Sequence, residues 1–203
     1  MCDVRKKLIL FDYAITEFVN KIAELKKESK EKVLESFTTT RIMKLMYFAS
    51  LLSVKLTLEY SQTPFSILNN WIAYGNGPVE DDVYRKLSYL PSYQRNEHGS
   101  YKERDRSDFG KITDFFGVSN AGEIDNRYKI DQETKINISK GIEEVCKMNL
   151  HNLPTEILIE ISHAGLLWNT AQYHNQKKMT TNNLFQLKVE LDEIKEVLKN
   201  NAA

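Results

Sequence analysis

The sequence predicts a mainly α-helical fold: a single compact helical domain of about six helices with a small β-hairpin or two to three short strands. Three observations lead to this prediction. The chain has 203 residues, enough for one ordinary domain to bury a core without disulfides or metal. Apolar residues recur at helical spacing over most of its length. Residues 65–73 and 128–130 instead have the aromatic and branched side chains that are typical of short strands.

The first two helices are predicted from an amphipathic stripe and from a capping threonine. Residues 8–25 place their apolar side chains three and four positions apart, on one face of a helix. That stripe comprises Leu8, Phe11, Ile15, Phe18, Ile22 and Leu25. The charged residues 26–35 that follow are expected to be a solvated run. Thr38 or Thr39 can then cap a second helix that continues to about residue 58 and, being apolar on most sides, is expected to be buried.

The middle of the chain is punctuated by turn-forming residues. Residues 65–68 and 71–73 are predicted to form one or two short strands. Pro78 fits the first position of a helix that runs to about Leu90, and the acidic residues 80–82 would complement its dipole. Beyond it we expect a long loop over 91–122 that holds one short helix at 109–116, and then a strand at 128–130 that pairs with the earlier one.

The last third of the chain again has helical periodicity. Asp131 can cap a helix that bears Ile138, Ile142 and Val145. Pro154 begins another helical run, in which Gly165 is a candidate kink. Its apolar positions are Ile157, Ile161, Ala164, Trp168 and Ala171. Thr180 or Thr181 caps the last helix, whose seam is expected to pack on its own domain. That seam comprises Leu184, Leu187, Leu191, Ile194 and Leu198.

The bulk charge and the cysteines restrict the possible partners and the compartment. Lys plus Arg number 28 and Asp plus Glu number 28, so no global field favours nucleic acid or an anionic membrane. Cys2 and Cys146 are unclustered, which disfavours a structural disulfide and fits a reducing compartment. No apolar run approaches the length that spans a bilayer. A cytoplasmic location is therefore predicted, with no membrane partner.

Patterns that would indicate catalysis, a metal or a cofactor do not emerge from the residues. The four histidines form neither an HxH nor an HExxH arrangement. Gly75 and Gly77 resemble the start of a phosphate-binding loop, but Glu80 stands where the third glycine would be. Asp81 and Asp82 are neighbours on the predicted helix and are interpreted as surface charge that complements its dipole. We therefore expect no catalytic residues, no metal and no cofactor, and a protein that is not an enzyme.

Residues 93–106 interleave aromatic and basic side chains, as segments that bind single-stranded nucleic acid do. Glu97, Glu103 and Asp105 are mixed among them, however, and alternating signs cancel the field on which counterion release depends. A solvated loop, or a loop that contacts a partner protein, is the preferred interpretation.

Three segments, taken together in this order, resemble the Panacea domain, the SocA-like antitoxin family. They are residues 44–49 (KLMYFA), residues 73–79 (AYGNGPV) leading to Val83-Tyr84, and Ser162-His163 followed by residues 168–171 (WNTA). The family pattern has a KLLYF-type helix, an Ala-Trp-x-x-Gly-Pro-Val turn, and a closing Ser/Thr-His segment with a tryptophan. Two departures stand out: Tyr74 occupies the place of the usual tryptophan, and residues 91–128 exceed the family minimum.

The resemblance implies one Panacea-like domain over residues 1–203. Its family core would span 38–184, with a variable insertion at about 91–128, and 1–37 and 185–203 would be helical extensions. The motif residues are expected to build the shared scaffold, because one motif paired with divergent toxins encodes fold rather than partner choice. These scaffold residues are Lys44, Tyr47, Phe48, Trp71, Tyr74, Gly77, Pro78, Val79, Tyr84, His163 and Trp168. Partner choice would then lie in the first helix, the last helix and the insertion. Its candidate toxin contacts are Tyr93, Arg95, Tyr101, Arg104 and Arg106.

By function, the resemblance implies a bacterial or prophage antitoxin that neutralises a cognate protein toxin by direct stoichiometric binding. The toxin would be encoded next to it, and translation is its expected target. One alternative is an adaptor that delivers the toxin to an ATP-dependent protease, and another is a DNA-binding regulator of its own operon. A homodimer and a hetero-oligomer with the toxin both stay open.

Overall fold

The computed structural model of the chain describes residues 4–87, 131–173, 178–179 and 183–201. Several predictions concern residues outside these ranges. They are the end of the helix at Leu90, the loop over 91–122, the short helix at 109–116, the strand at 128–130 and the caps Thr180 and Thr181.

The predicted fold class is confirmed, since the described residues are mainly helical and contain one small antiparallel sheet. The α-helices are α1 Val4–Lys26, α2 Lys30–Glu35, α3 Thr39–Ser53, α4 Asp81–Tyr84, α5 Gln132–Lys147, α6 Thr155–His163, α7 Leu166–Tyr173 and α8 Leu184–Asn201. The strands are β1 Trp71–Tyr74 and β2 Gly77–Glu80. Single 3-10 turns occur at Val54–Leu56, Tyr60–Gln62, Pro64–Ser66 and Leu150–Asn152. None of the helices in these ranges combines the length and apolarity needed to cross a membrane.

The predicted buried central helix is α3. The Thr38 hydroxyl accepts a hydrogen bond from the Arg41 amide and caps it, and all but two of its fifteen residues are buried. Helix α5 crosses it very closely, because a Cβ on Gly141 would lie 2.0 Å from the Ala49 carbonyl oxygen. α3 ends at Ser53 rather than near residue 58. Just after Ser53, the Thr57 amide and hydroxyl both donate to the Val54 carbonyl, and such local bonds compete with continuation of the helix.

The N-terminal helix is confirmed, and a short helix follows it that the sequence did not predict. Five of the six residues in the predicted stripe of α1 are buried, and the exception is Leu25 in the last turn, which is 53% exposed. The run at 26–35 is not simply solvated, since it contains α2. The Ser29 hydroxyl caps α2 by accepting from the Lys32 amide, and Val33 and Leu34 are buried. The many charges around these two apolar residues hid the helical stripe.

The hairpin formed by β1 and β2 corrects two predictions. Residues 65–68 form no strand, because Pro64 begins a 3-10 turn there. The Pro64 carbonyl accepts a hydrogen bond from the Leu68 amide. Pro78 does not begin a helix, because it lies in β2, opposite Ala73 of β1. The tight turn at residues 75–76 and the positive φ of Gly77 (85°) return the chain antiparallel to β1. The strand at 71–73 is confirmed as β1.

The helix predicted to begin at Pro78 begins three residues later, at Asp81. The Glu80 carboxylate caps this helix, α4, by accepting from the Val83 amide. Along its other edge, β1 is joined by the segment at 178–179. Ile72 forms an antiparallel bridge with Lys178, and the Met179 amide donates to the Trp71 carbonyl at 2.9 Å. Both edges of β1 are therefore paired.

The C-terminal helices follow the predicted pattern. Asp131 caps α5 by accepting from the Thr134 amide, as predicted. The run after Pro154 divides at Gly165 into α6 and α7, so the candidate kink is a complete break. In α8, Leu187, Leu191 and Ile194 are buried against α3, α6 and α7, which confirms that this seam packs on its own domain.

A buried lysine ties α1 to the hairpin. Lys7 is 1% exposed, and its Nζ lies 2.7 Å from Glu80 Oε1 and 2.6 Å from Asp82 Oδ2. Burial alone would lower the pKa of Lys7, but the hydrogen bonds and charges of the two carboxylates outweigh it and raise that pKa. Glu80 is fully buried and also accepts from the Asn70 amide, so one carboxylate organises α1, β2 and the start of α4.

Lys7→Met is expected to reduce the free energy of unfolding by about 3–5 kcal/mol, because it leaves the Glu80 carboxylate buried without its cation. Lys6→Met is the matched control. Lys6 is the exposed neighbour on the same helix, and its replacement should cost no more than about 0.5 kcal/mol. Urea denaturation followed by circular dichroism measures both values. Equal effects of the two substitutions would contradict a structural role for the ion pair.

Candidate functional site

The three motif segments meet in one place, although up to 124 positions separate them in the chain. The Lys44 amine of α3 donates to the Pro78 carbonyl of β2 at 2.7 Å. The Trp168 indole of α7 donates to the Tyr74 carbonyl at 3.4 Å. We call this region the motif cluster, and its members are Lys44, Tyr47, Tyr74, Gly77, Pro78, Ser162, His163 and Trp168.

Lys44 is the most unusual member of the motif cluster. Its side chain is fully buried, and it forms no ion pair within the described part of the chain. Burial lowers the pKa of Lys44 from 10.5 to about 7. The aliphatic end of the side chain packs against Gly77, where a Cβ would lie 3.1 Å from both Lys44 Cε and Lys44 Nζ.

Gly77 brings β2 into contact with α6 as well as with α3. A Cβ at this position would lie 2.4 Å from Ser162 Oγ, so a larger residue fits only if the Ser162 side chain moves. The positive φ of Gly77 is a second reason for glycine, because side chains with a Cβ rarely adopt it. Gly75, two residues earlier in the same turn, has neither constraint: nothing lies within 4 Å of its Cβ position.

A buried carboxylate lies beside the motif cluster, and the sequence analysis missed it. Glu190 of α8 is fully buried and accepts from the Tyr47 hydroxyl and, at 2.8 Å, from the Leu167 amide at the start of α7. Burial raises the pKa of Glu190 and also that of Tyr47. Gly165 permits this contact, because a Cβ there would lie 2.0 Å from Glu190 Oε1.

A signal for Glu190 was present in the sequence. It stands three residues after Leu187 and four before Ile194, and it therefore falls on the apolar face of the last helix. A carboxylate on a buried face must accept hydrogen bonds, and Tyr47 was one of several motif residues able to supply one. The same interior also buries rings: the centroid of Tyr47 lies 5.2 Å from that of Trp71 and 5.8 Å from that of Phe48, both edge to face.

The outer side of the motif cluster is an aromatic stack. The rings of His163 and Trp168 are parallel to within 17°, with their centroids 4.0 Å apart, and both residues are half-buried. His163 Nε2 is buried without a hydrogen-bond partner among the described residues. Burial lowers the pKa of His163, and the nearby Lys44 lowers it further, so the neutral ring is held by stacking instead.

Asp81 and Asp82 are not the plain surface charges that we expected. Asp81 is largely buried and accepts from the Tyr74 hydroxyl at 2.7 Å and from Arg85 Nε at 2.6 Å. Asp82 pairs with Lys7, as described above. The two carboxylates have different partners: Asp81 bonds to Tyr74 of β1, and Asp82 pairs with Lys7 of α1. The sequence analysis placed residues 78–80 in a helix instead of in β2, and so could not foresee these contacts.

The remaining predicted residues divide between the core and the part of the chain that is not described. Phe48 and Trp71 are buried, and Val79 and Tyr84 are half-buried. The candidate toxin contacts lie outside the described residues; they are Tyr93, Arg95, Tyr101, Arg104 and Arg106. In the described ranges, no group of three or more His, Cys, Asp or Glu has the arrangement of a metal site.

Comparison with protein-family models, with curated proteins and with solved structures gave no match. We therefore infer function from this chain's own residues and from the contacts they make.

Gly77→Ala is expected to destabilise the protein by about 2 kcal/mol or more, because it adds backbone strain at a positive φ to the clash with Ser162. Gly75→Ala is the matched control in the same turn. Its Cβ would enter open space, and its effect should stay within about 0.5 kcal/mol. Thermal unfolding of both variants tests this difference, which would be absent if the turn tolerated any residue at either position.

Tyr47→Phe is expected to cost about 1–3 kcal/mol at pH 8, because the Glu190 carboxylate loses a donor in a buried site. The cost should shrink at pH 5. The raised pKa of Glu190 means that this carboxyl group takes up a proton as the pH falls toward its unfolded pKa of 4.5, and a neutral carboxyl group needs the donor less. Urea denaturation at the two pH values measures the change. Tyr13→Phe, which removes a half-buried hydroxyl bonded to Ser139, should give a cost that does not depend on pH.

Proposed function

We propose that this chain is an antitoxin of the Panacea, SocA-like type, which neutralises a cognate protein toxin by stoichiometric binding. The observation that carries the proposal is the convergence of the three motif segments. Lys44 bonds to Pro78, Gly77 lies against Ser162, and Trp168 bonds to the carbonyl of Tyr74. Segments that match a family pattern only by chance would have no reason to meet in space.

A binding function is also supported by how the motif residues use their polar groups. The Lys44 amine bonds to a backbone carbonyl, the Tyr47 hydroxyl to Glu190, and the Tyr74 hydroxyl to Asp81. Each contact joins two secondary-structure elements, so the motif acts as a scaffold.

Partner choice is then left to surfaces outside the motif cluster. Each of the two terminal helices exposes a large apolar side chain of the kind that anchors interfaces, Leu25 on α1 at 53% and Phe185 on α8 at 71%. The segment at 93–106 supplies further aromatic and arginine residues.

Co-expression with the small protein encoded by the neighbouring gene tests this function. The neighbouring protein alone should arrest growth, and this chain should restore growth and co-purify with it in a fixed ratio. Gly77→Ala should weaken the rescue as far as it lowers the folded fraction, whereas Gly75→Ala should leave it intact. If growth stays arrested and no complex co-purifies, the proposal is wrong.

One further measurement tests whether the antitoxin occludes the toxin or delivers it to a protease, and another tests which surface contacts the toxin. The half-life of the toxin should stay constant or lengthen if the antitoxin occludes it, and should shorten if the antitoxin delivers it to a protease. Replacing three arginines from the first part of the insertion, residues 93–106, with alanine should weaken binding without changing the melting temperature, if partner choice lies there. These residues are Arg95, Arg104 and Arg106. Unchanged binding would instead direct attention to α1 and α8.

A further inference from the structure

Two buried lysines hold the same strand in chemically opposite ways. Lys7 meets two carboxylates near the end of β2, so its positive charge is compensated. Lys44 meets only the carbonyl oxygen of Pro78, near the beginning of β2, and forms no ion pair within the described part of the chain. The first lysine lies in an ion pair that favours its charge, whereas the second has one neutral acceptor in a buried site that disfavours its charge.

We propose that Lys44 is a charge-sensitive latch: its uncharged amine holds the β1–β2 hairpin against α3 and α6, and its protonation releases the hairpin. An ammonium group has three donors, and Pro78 supplies one acceptor at this site. A buried charge without a counterion is strongly unfavourable. Moving the hairpin outward would expose the Lys44 amine to water and relieve that cost. The Lys7–Glu80 ion pair at the other end of β2 opposes this movement, so the docked state predominates while the Lys44 amine is uncharged.

Among the described residues, the neighbouring groups do not neutralise Lys44. Titratable side chains on the elements around it include Tyr47 on α3, Glu80 on β2, His163 and Glu160 on α6, and Glu190 on α8. The Glu80 carboxylate is bound by Lys7 and by the Asn70 and Val83 amides, and Glu190 is bound by Tyr47 and Leu167. His163 is a second base, and the interaction between the two bases disfavours charge on either.

The direction of the effect follows from the two states of the latch. When the hairpin is released, the solvated amine has its ordinary pKa of 10.5, and when the hairpin is docked burial lowers the pKa to about 7. The released state therefore binds more protons between these values. Its population should rise by close to tenfold for each pH unit lowered within that range, roughly fiftyfold from pH 9 to pH 7, and level off below about pH 6.5.

Trp71 on β1 reports the position of the hairpin. Its ring is buried against Tyr47 and Phe65, with centroids 5.2 and 5.9 Å away, so release of the hairpin would open it to solvent. The chain has two tryptophans, and replacing Trp168 with phenylalanine leaves Trp71 as the only one. In this background, quenching of Trp71 fluorescence by acrylamide should increase severalfold from pH 9 to pH 6.5.

Two substitutions of Lys44 should act in opposite directions. Lys44→Met removes the titrating group and keeps the apolar stem, so Trp71 should stay protected at every pH. Lys44→Arg keeps a charge at every pH, so Trp71 should be quenched throughout. Helix content measured by circular dichroism establishes that each variant is folded.

Three results would overturn the latch. First, acrylamide quenching of Trp71 could be independent of pH in the protein that retains Lys44. The pH dependence could persist unchanged in Lys44→Met. It could also disappear in His163→Gln while Lys44 is intact, which would assign the titration to the histidine.

Discussion

The fold depends on a central helix that has almost no face exposed to solvent. Since nearly all of α3 is buried, each neighbouring element must present an apolar stripe to it, and α1, α5, α6 and α8 do so. Most of its buried polar residues also find partners inside the protein, and the Ser50 hydroxyl is buried without one among the described residues. Lys44 bonds to the hairpin, Tyr47 bonds to α8, and the Ser53 hydroxyl returns to the Ser50 carbonyl. The polar residues of one helix thereby determine which elements can surround it.

The hairpin illustrates how this constraint fixes a small element that would not be stable alone. Two hydrogen-bonded strands of four residues lie between α3 and α6, and β1 is covered on its outer edge by Lys178 and by side chains of α7. The Gln172 side chain donates to the Ala73 carbonyl at 2.9 Å, next to the bond from Trp168. Edges that are paired in this way do not offer a template for other strands.

The sequence predicted the long helices well and the polar contacts poorly, for a physical reason. Helical periodicity is a local property, so the stripe of α1 and the seam of α8 could be identified without knowing what they pack against. Pro78 was placed at a helix start because proline followed by acidic residues has the same local signature as a short strand that leads into a capped helix. The difference lies in the pairing with β1, which is not local. Single-sequence patterns contain no information about such partners.

The same distinction between local patterns and distant contacts applies to the residues in and around the motif cluster. Residue type alone predicted that three aromatic residues would fill the core. All three are buried in the structure: Tyr47, Phe48 and Trp71. The close contacts of two glycines could not be predicted, because a glycine gives no sign of which atom occupies the space beside it. Gly77 faces Ser162, and Gly165 faces Glu190.

The close approach of Gly77 to Ser162 changes what the motif means. This glycine lies opposite a polar side chain from another element, so the motif specifies distances between elements more than it specifies a surface. A motif of that kind can be retained while the exposed faces of α1 and α8 vary, because the contacts that it makes among the described residues do not extend to those faces. For a family in which one scaffold serves many partners, such a separation of fold from recognition is the arrangement that physical reasoning favours.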